Sequence, residues 1–181
     1  MGKKIVVLTG SPRKGGNSFA MTDAFIQAAE EKGHEVVRFD AAMMKVGGCH
    51  DCRTCYSTGK ACTYDDDFNR IAPELETADA VVFTMPLYWY TMPAQIKAVI
   101  DKFLVFFSGK VEVKVKEAGL ICCCEEKDAV VLEGIRQPYL RTVQLLGWES
   151  AGEVLVPNVY RIGDIKKTDG EARAAALAEK F

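Results

Sequence analysis

The chain has 181 residues, 49% of them hydrophobic and 27% charged, with a formal net charge of −2. These values fit one ordinary globular domain with room for a real core, so a single domain over residues 1–181 is expected. The small net charge excludes the basic footprint of a nucleic-acid binder. The apolar run near the N-terminus is too short for a signal peptide or a membrane span. Met1-Gly2 begins like a myristoylation site, but Val6 lacks the hydroxyl such a site needs. A cytoplasmic protein with no membrane partner is therefore expected.

In chain order, residues 4–9 read as a strand buried on both faces, because Ile5-Val6-Val7-Leu8 is continuously apolar. Residues 18–32 read as a helix with Met21, Phe25 and Ala28 on one face and Gly33 as its stop. A short strand at 35–40 leads into a long irregular segment at 43–66. A helix at 68–78 follows, capped by one of Asp65, Asp66 and Asp67. Residues 80–85 are a third strand. Residues 93–106 are a helix with Pro93 in its first turn and Ile96, Val99, Ile100 and Phe103 on its apolar face. Strands at 118–123 and 149–156 flank a helix at 129–146, which Pro138 kinks or interrupts. The alanine-rich tail at 171–180 is a helix that adds little to the core. Five strands alternating with helices predict an α/β fold, an open parallel sheet with helices on both faces and right-handed crossovers.

The stretch Gly10-Ser11-Pro12-Arg13-Lys14-Gly15-Gly16-Asn17-Ser18 lies between the first strand and the first helix. Free N–H groups at a helix start and the positive end of its dipole favour a phosphate. Gly10, Gly15 and Gly16 allow tight turns, Ser11, Asn17 and Ser18 add short donors, and Arg13 adds a charged fork. Gly10 and Gly15 have the spacing of a nucleotide-triphosphate loop, but Gly16 and Asn17 stand where its Lys and Ser/Thr belong. The dinucleotide fingerprint is also missing, since Ser11-Pro12 follows Gly10. A loop rich in hydroxyls and amides suits a terminal phosphomonoester such as that of FMN. A second cluster, Pro86-Leu87-Tyr88-Trp89-Tyr90, follows the third strand. Its aromatics suit a flat apolar ring with hydrogen bonds along one edge, or a dimer interface, and the two roles can coexist.

Gly-Ser-Pro-Arg-x-x-Gly-Asn-Ser after an N-terminal strand resembles the NAD(P)H-dependent FMN reductase-like proteins of the flavodoxin superfamily. The resemblance continues through Pro86-Leu87-Tyr88-Trp89, Pro93-Ala94, Lys97 and Asp101-Lys102. It implies a flavodoxin-like, doubly wound, five-stranded parallel sheet of order 2-1-3-4-5. The switch point of that order, between strands one and three, is where ligands bind. It also implies that Pro86, Leu87, Tyr88 and Trp89 lie against the flavin, with Cys124 as a third contact from the end of the fourth strand. Bound FMN would take a hydride from NADH or NADPH and pass electrons to a flavin, a quinone or another small acceptor. No protein acid or base is nominated. An electron carrier for protein partners and a scaffold without flavin are the alternatives. Relatives form homodimers or homotetramers, and the same is expected here.

Seven cysteines are many for a cytosolic chain. Cys49, Cys52, Cys55 and Cys62 are spaced C-x2-C-x2-C-x6-C. The readings are four thiolates on a [4Fe–4S] cluster, free or disulfide-forming thiols, or zinc. The spacing resembles the iron–sulfur flavoprotein branch of the same family. Cys122 and Cys123 read as small buried hydrophobes.

Overall fold

The computed structural model describes residues 2–108 and 111–181. Its strands are β1 (Lys4–Thr9), β2 (Glu35–Asp40), β3 (Ala80–Pro86), β4 (Glu117–Cys123) and β5 (Glu149–Val156). They form one all-parallel sheet in the order β2-β1-β3-β4-β5, as expected. The register pairs Leu8 with Phe83 and Thr9 with Thr84, so β1 and β3 end side by side at the carboxyl edge.

The period-2 alternation of the strands divides their side chains between two cores. On one face Val6, Leu8, Val81, Phe83, Met85 and Leu120 pack with α2 (Phe68–Thr77), α3 (Ala94–Asp101), α4 (Leu104–Phe107) and α5 (Glu133–Leu145). On the other, Ile5, Val7, Val82 and Ile121 pack with Met21, Phe25 and Ala29 of α1 (Asn17–Glu31) and Ala174 and Leu177 of α6 (Gly170–Leu177). A strand buried on both faces can carry no polar side, which is why the runs in β1, β3 and β4 are continuous. Among the described residues no helix is long and apolar enough to cross a membrane.

Three elements differ from expectation. The helix expected over 93–106 breaks between α3 and α4. The N–H groups of Lys102, Phe103, Val105 and Phe106 donate to carbonyls three residues back, to Val99, Ile100, Lys102 and Phe103. This tighter winding ends the α-helical turn. At Lys102 the side chain is 3% exposed, with its ammonium 2.5 Å from Asp66 Oδ2. The tail is also more than a marginal addition: Ala174, Leu177 and Ala178 are buried, and Phe181 packs edge-on against Phe25 with ring centroids 5.8 Å apart. A low-hydrophobicity alanine helix contributes this way because small side chains let it sit close to α1. Finally, Pro138 lies within α5, which a 3-10 turn at Ala129–Leu132 introduces. At the start of α2 the cap position is Asp67, which makes no side-chain cap bond, while Asp66 Oδ1 accepts from the Phe68 N–H at 3.0 Å.

Candidate functional site

A cleft of about 550 Å3 opens at the carboxyl edge, where β1 and β3 end. At one end lie Ser11, Arg13, Gly16, Asn17 and Ser18; at the other lie Pro86, Leu87, Tyr88 and Trp89, with Cys124 on the wall from β4. All ten residues expected from sequence for FMN therefore line one cleft.

The loop after β1 is tied to its neighbours by backbone. Gly10 N–H donates to Thr84 O at 2.8 Å, which joins the loop to the end of β3. A Cβ on Gly10 would lie 2.8 Å from Ile96 Cγ2, so only glycine lets α3 approach. Gly15 takes φ +71°, the left-handed region that favours glycine. Gly16 caps α1 without any side-chain cap bond. First-turn N–H groups have no carbonyl four residues back. With no capping side chain, they are left for a ligand at the positive end of the α1 dipole, beside the exposed Arg13. Asn17 plays a different part from the one expected of its side chain. Its Nδ2 donates to Arg161 O at 2.9 Å, and its Oδ1 accepts from Gly163 N–H at 3.0 Å and Ile165 N–H at 3.3 Å. The side chain binds the segment after β5 to α1.

The opposite end is a hairpin turn. Tyr88 N–H donates to Thr91 O and Thr91 N–H to Tyr88 O, both at 3.0 Å. Trp89 and Tyr90 have φ of +47° and +63°, which makes this a type I′ turn carried by aromatic residues instead of the usual Asn-Gly. Left-handed backbone in residues with a Cβ costs on the order of 1–3 kcal/mol each. The result is Trp89 held 93% exposed at the mouth of the cleft, with Tyr90 beside it.

The remaining wall comes from the ends of β4 and β5. Leu87 N–H donates to Cys123 O at 2.8 Å and Val159 N–H to Cys124 O at 2.8 Å. Burial pushes the Cys123 thiol up to about 12 and the Cys124 thiol, with help from Glu126, up to about 11. Both are therefore neutral S–H groups near pH 7, unsuited to attack as thiolates. No histidine lines the cleft. His34 Nδ1 accepts from Lys3 N–H, and His50 stacks on Tyr64.

The 157–163 segment escaped the sequence reading. Val159, Tyr160 and Ile162 line the cleft, as do Glu125 and Glu126. The available signal was Tyr160 and Ile162, two large apolar side chains in the loop after the fifth strand.

The groups present fit FMN: an open helix start beside a guanidinium for the phosphate, and an aromatic and aliphatic slot for the ring. The four-cysteine segment fits its cofactor less well. Cys49, Cys52, Cys55 and Cys62 line a common recess with Lys102, Leu104 and Val105, but its volume is about 20 Å3, room for about one water. Among the described residues, no group of three or more His, Cys, Asp or Glu side chains is placed to hold a metal ion. As placed, the thiols do not form a cage for a cluster.

Residues 3–137 match the model of the NADPH-dependent FMN reductase family. The chain belongs to this family. Family membership makes it an oxidoreductase. Over 98% of its length it is 32% identical to an iron–sulfur flavoprotein of Archaeoglobus fulgidus, covering 82% of that protein. It is 33% identical over 99 residues to an iron–sulfur flavoprotein of Methanosarcina thermophila, where the match spans about half of each chain, 55% here and 51% there. Among solved structures, the NAD(P)H:quinone oxidoreductase from Methanothermobacter marburgensis superposes with a TM-score of 0.80 at 18% identity, covering 98% of this chain and 95% of that one. That likeness is one of fold.

Proposed function

We propose that this FMN reductase family member binds FMN in the cleft between β1 and β3 and uses NADH or NADPH to reduce a flavin, a quinone or another small acceptor. The observation that carries this reading is one cleft with an open helix start at one end and an aromatic turn at the other. Bound FMN would supply the hydride-accepting ring. The protein's part is binding and orientation. The α1 start and Arg13 hold the phosphate. Leu87 and the aromatics of the 88–90 turn wall the ring. The neutral Cys124 thiol borders the ring without charge. The exposed rim of Trp89, Tyr160 and Ile162 suits cover by a second copy, so a homodimer or homotetramer completes the reading. Light scattering at micromolar concentration that finds only monomer rejects that part.

Fluorescence titration tests the FMN reading. Wild-type protein binds FMN, and Arg13→Ala weakens binding by about tenfold to a hundredfold, the value of one charge-assisted hydrogen bond. A wild-type protein that binds no FMN overturns the proposal, and steady-state oxidation of NAD(P)H separates a reductase from an electron carrier.

The iron–sulfur relatives and the shared recess of four cysteines favour a second reading, in which the 49–62 segment closes around a [4Fe–4S] cluster. Anaerobic reconstitution with iron and sulfide tests it. Stoichiometric iron in wild type and its loss in Cys55→Ala, with FMN retained, support the cluster; wild type without iron rejects it.

A further inference from the structure

The aromatic turn at 88–91 needs something to hold it. Its two central residues occupy backbone conformations that side chains disfavour, and its two internal hydrogen bonds reach only across the turn itself. A third support comes from a distant part of the chain. A Cβ placed on Gly134 would lie 1.9 Å from Tyr90 O, 3.1 Å from Tyr90 C and 3.5 Å from Tyr90 Cβ. The main chain of the turn thus rests directly on the main chain of α5, at a point where alanine cannot fit. Gly134 has no φ that demands glycine, and glycine is a poor residue inside a helix. The close approach of Tyr90 is what this position requires. Close Cα–H to carbonyl contacts of this type recur where backbones meet.

We propose that Gly134 is the positioning residue of the cleft's aromatic wall. Its missing side chain forms the seat that fixes Tyr90 O, and through it Tyr88 and Trp89, at the cleft mouth. The seat follows from geometry alone. Its effect on flavin rests on the FMN reading above. Gly134→Ala must push Tyr90 O away by about 1 Å to reach the shortest distance a real Cβ tolerates. The displacement moves the ring end of the cleft and leaves the α1 end untouched.

The test has two arms. Hydrogen exchange on flavin-free protein reads the seat. In Gly134→Ala, the Tyr88 and Thr91 amides exchange at least about tenfold faster, while amides of residues 4–9 keep their wild-type rates. Flavin titration reads the consequence. Gly134→Ala weakens FMN and riboflavin by the same factor, about tenfold, because the ring is common to both. Arg13→Ala weakens FMN alone. Unchanged exchange at Tyr88 and Thr91 overturns the proposal. So does equal acceleration throughout the sheet, or FMN affinity equal to wild type. Should wild type bind no flavin, the FMN reading fails while the exchange arm still decides the seat. Should the variant not fold, wild-type exchange decides instead. A seated turn opens together with the start of α5, so Tyr88 and Thr91 share the rate of Arg136 and Gln137. Rates about tenfold apart overturn the seat.

Discussion

Lys102 is the most deeply buried charge described in the chain, 3% exposed where α3 ends, and its partner Asp66 is largely buried as well. The two are not equal in what they lose when the other is removed. Asp66 Oδ2 accepts from Lys102 Nζ and from Gly47 N–H at 3.0 Å, and Oδ1 accepts from Phe68 N–H at 3.0 Å. Without Lys102 the carboxylate keeps two backbone donors. Without a charged Asp66, the ammonium faces the Cys62 sulfur at 3.5 Å and the Phe68 ring at 5.7 Å, neither of which neutralises it. Stranding one member of a buried pair costs about 3–5 kcal/mol, and the partial exposure of Asp66 places Asp66→Asn near the lower end, about 3 kcal/mol. Lys102→Met preserves length and apolar packing and loses about 1.5 kcal/mol, the low end for a charge-assisted hydrogen bond, because the carboxylate keeps its backbone donors. The double variant, with both charges gone, is more stable than Asp66→Asn alone. Urea unfolding followed by circular dichroism, on reduced and iron-free protein, measures all three. At about 2–4 °C per kcal/mol for a chain of this size, Asp66→Asn lowers Tm by roughly 6–12 °C. The reasoning is refuted if Lys102→Met is the costlier single change, or if Asp66→Asn loses less than about 1 kcal/mol.

The hydrogen bond from Thr54 holds the exposed Cys52 thiol below its ordinary range, whereas burial raises Cys123 and Cys124. Iodoacetamide at pH near 8 therefore labels Cys52 well before either, as peptide mass spectrometry shows; labelling of Cys124 first contradicts this. The Lys114 ammonium, with Lys4 N–H, holds the Asp79 carboxyl below the usual carboxylate range. A depressed folded value means that its stabilisation is complete above about pH 4 and is lost as pH falls further. Asp79→Asn accordingly flattens the acid limb of stability against pH, and an unchanged limb rejects the assignment. Asn17→Ala frees the segment after β5, so the Gly163 and Ile165 amides exchange faster while β1 amides do not; equal protection in the variant shows that Asn17 is no tie.

The sheet was legible because burial on both faces leaves a mark in sequence that few other elements leave: Ile5-Val6-Val7-Leu8 and Ala80-Val81-Val82-Phe83 have no polar side. The two loops were legible because each depends on local residue chemistry. What was hidden depends on contacts across the chain. Asn17 looks like a phosphate donor until Gly163 and Ile165, nearly 150 residues away, take its side chain. The α3–α4 break has no proline or glycine to announce it; it coincides with the burial of Lys102 against Asp66, a residue on another segment. The tail looked dispensable because alanines carry little hydrophobicity, yet small side chains are what let α6 lie close on α1. The seat at Gly134 gives no local signal at all, since its partner is Tyr90 on the preceding crossover.

The cysteine segment shows how little spacing alone fixes. C-x2-C-x2-C sets distances along the chain, but the direction of each thiol follows from the backbone, and Asp51, Arg53 and Tyr56 all turn through positive φ. The far end of the segment is held by the protein. Cys62 N–H donates to Asn69 Oδ1 at 2.8 Å, and Tyr56 OH donates to Glu76 at 2.5 Å. Cys49 and Cys52, by contrast, are exposed. Thr54 O accepts from Thr63 Oγ1 at 2.8 Å and His50 stacks on Tyr64, so closure of the recess around iron must break or carry these contacts as residues 48–54 move toward Cys62. Hydrogen exchange before and after anaerobic reconstitution reads this division. Protection rises in 48–54, while the Cys62 amide and α2 keep their rates. If iron binds and the Cys62 amide changes as much as residues 48–54, the anchors do not hold, and the segment rearranges as a whole.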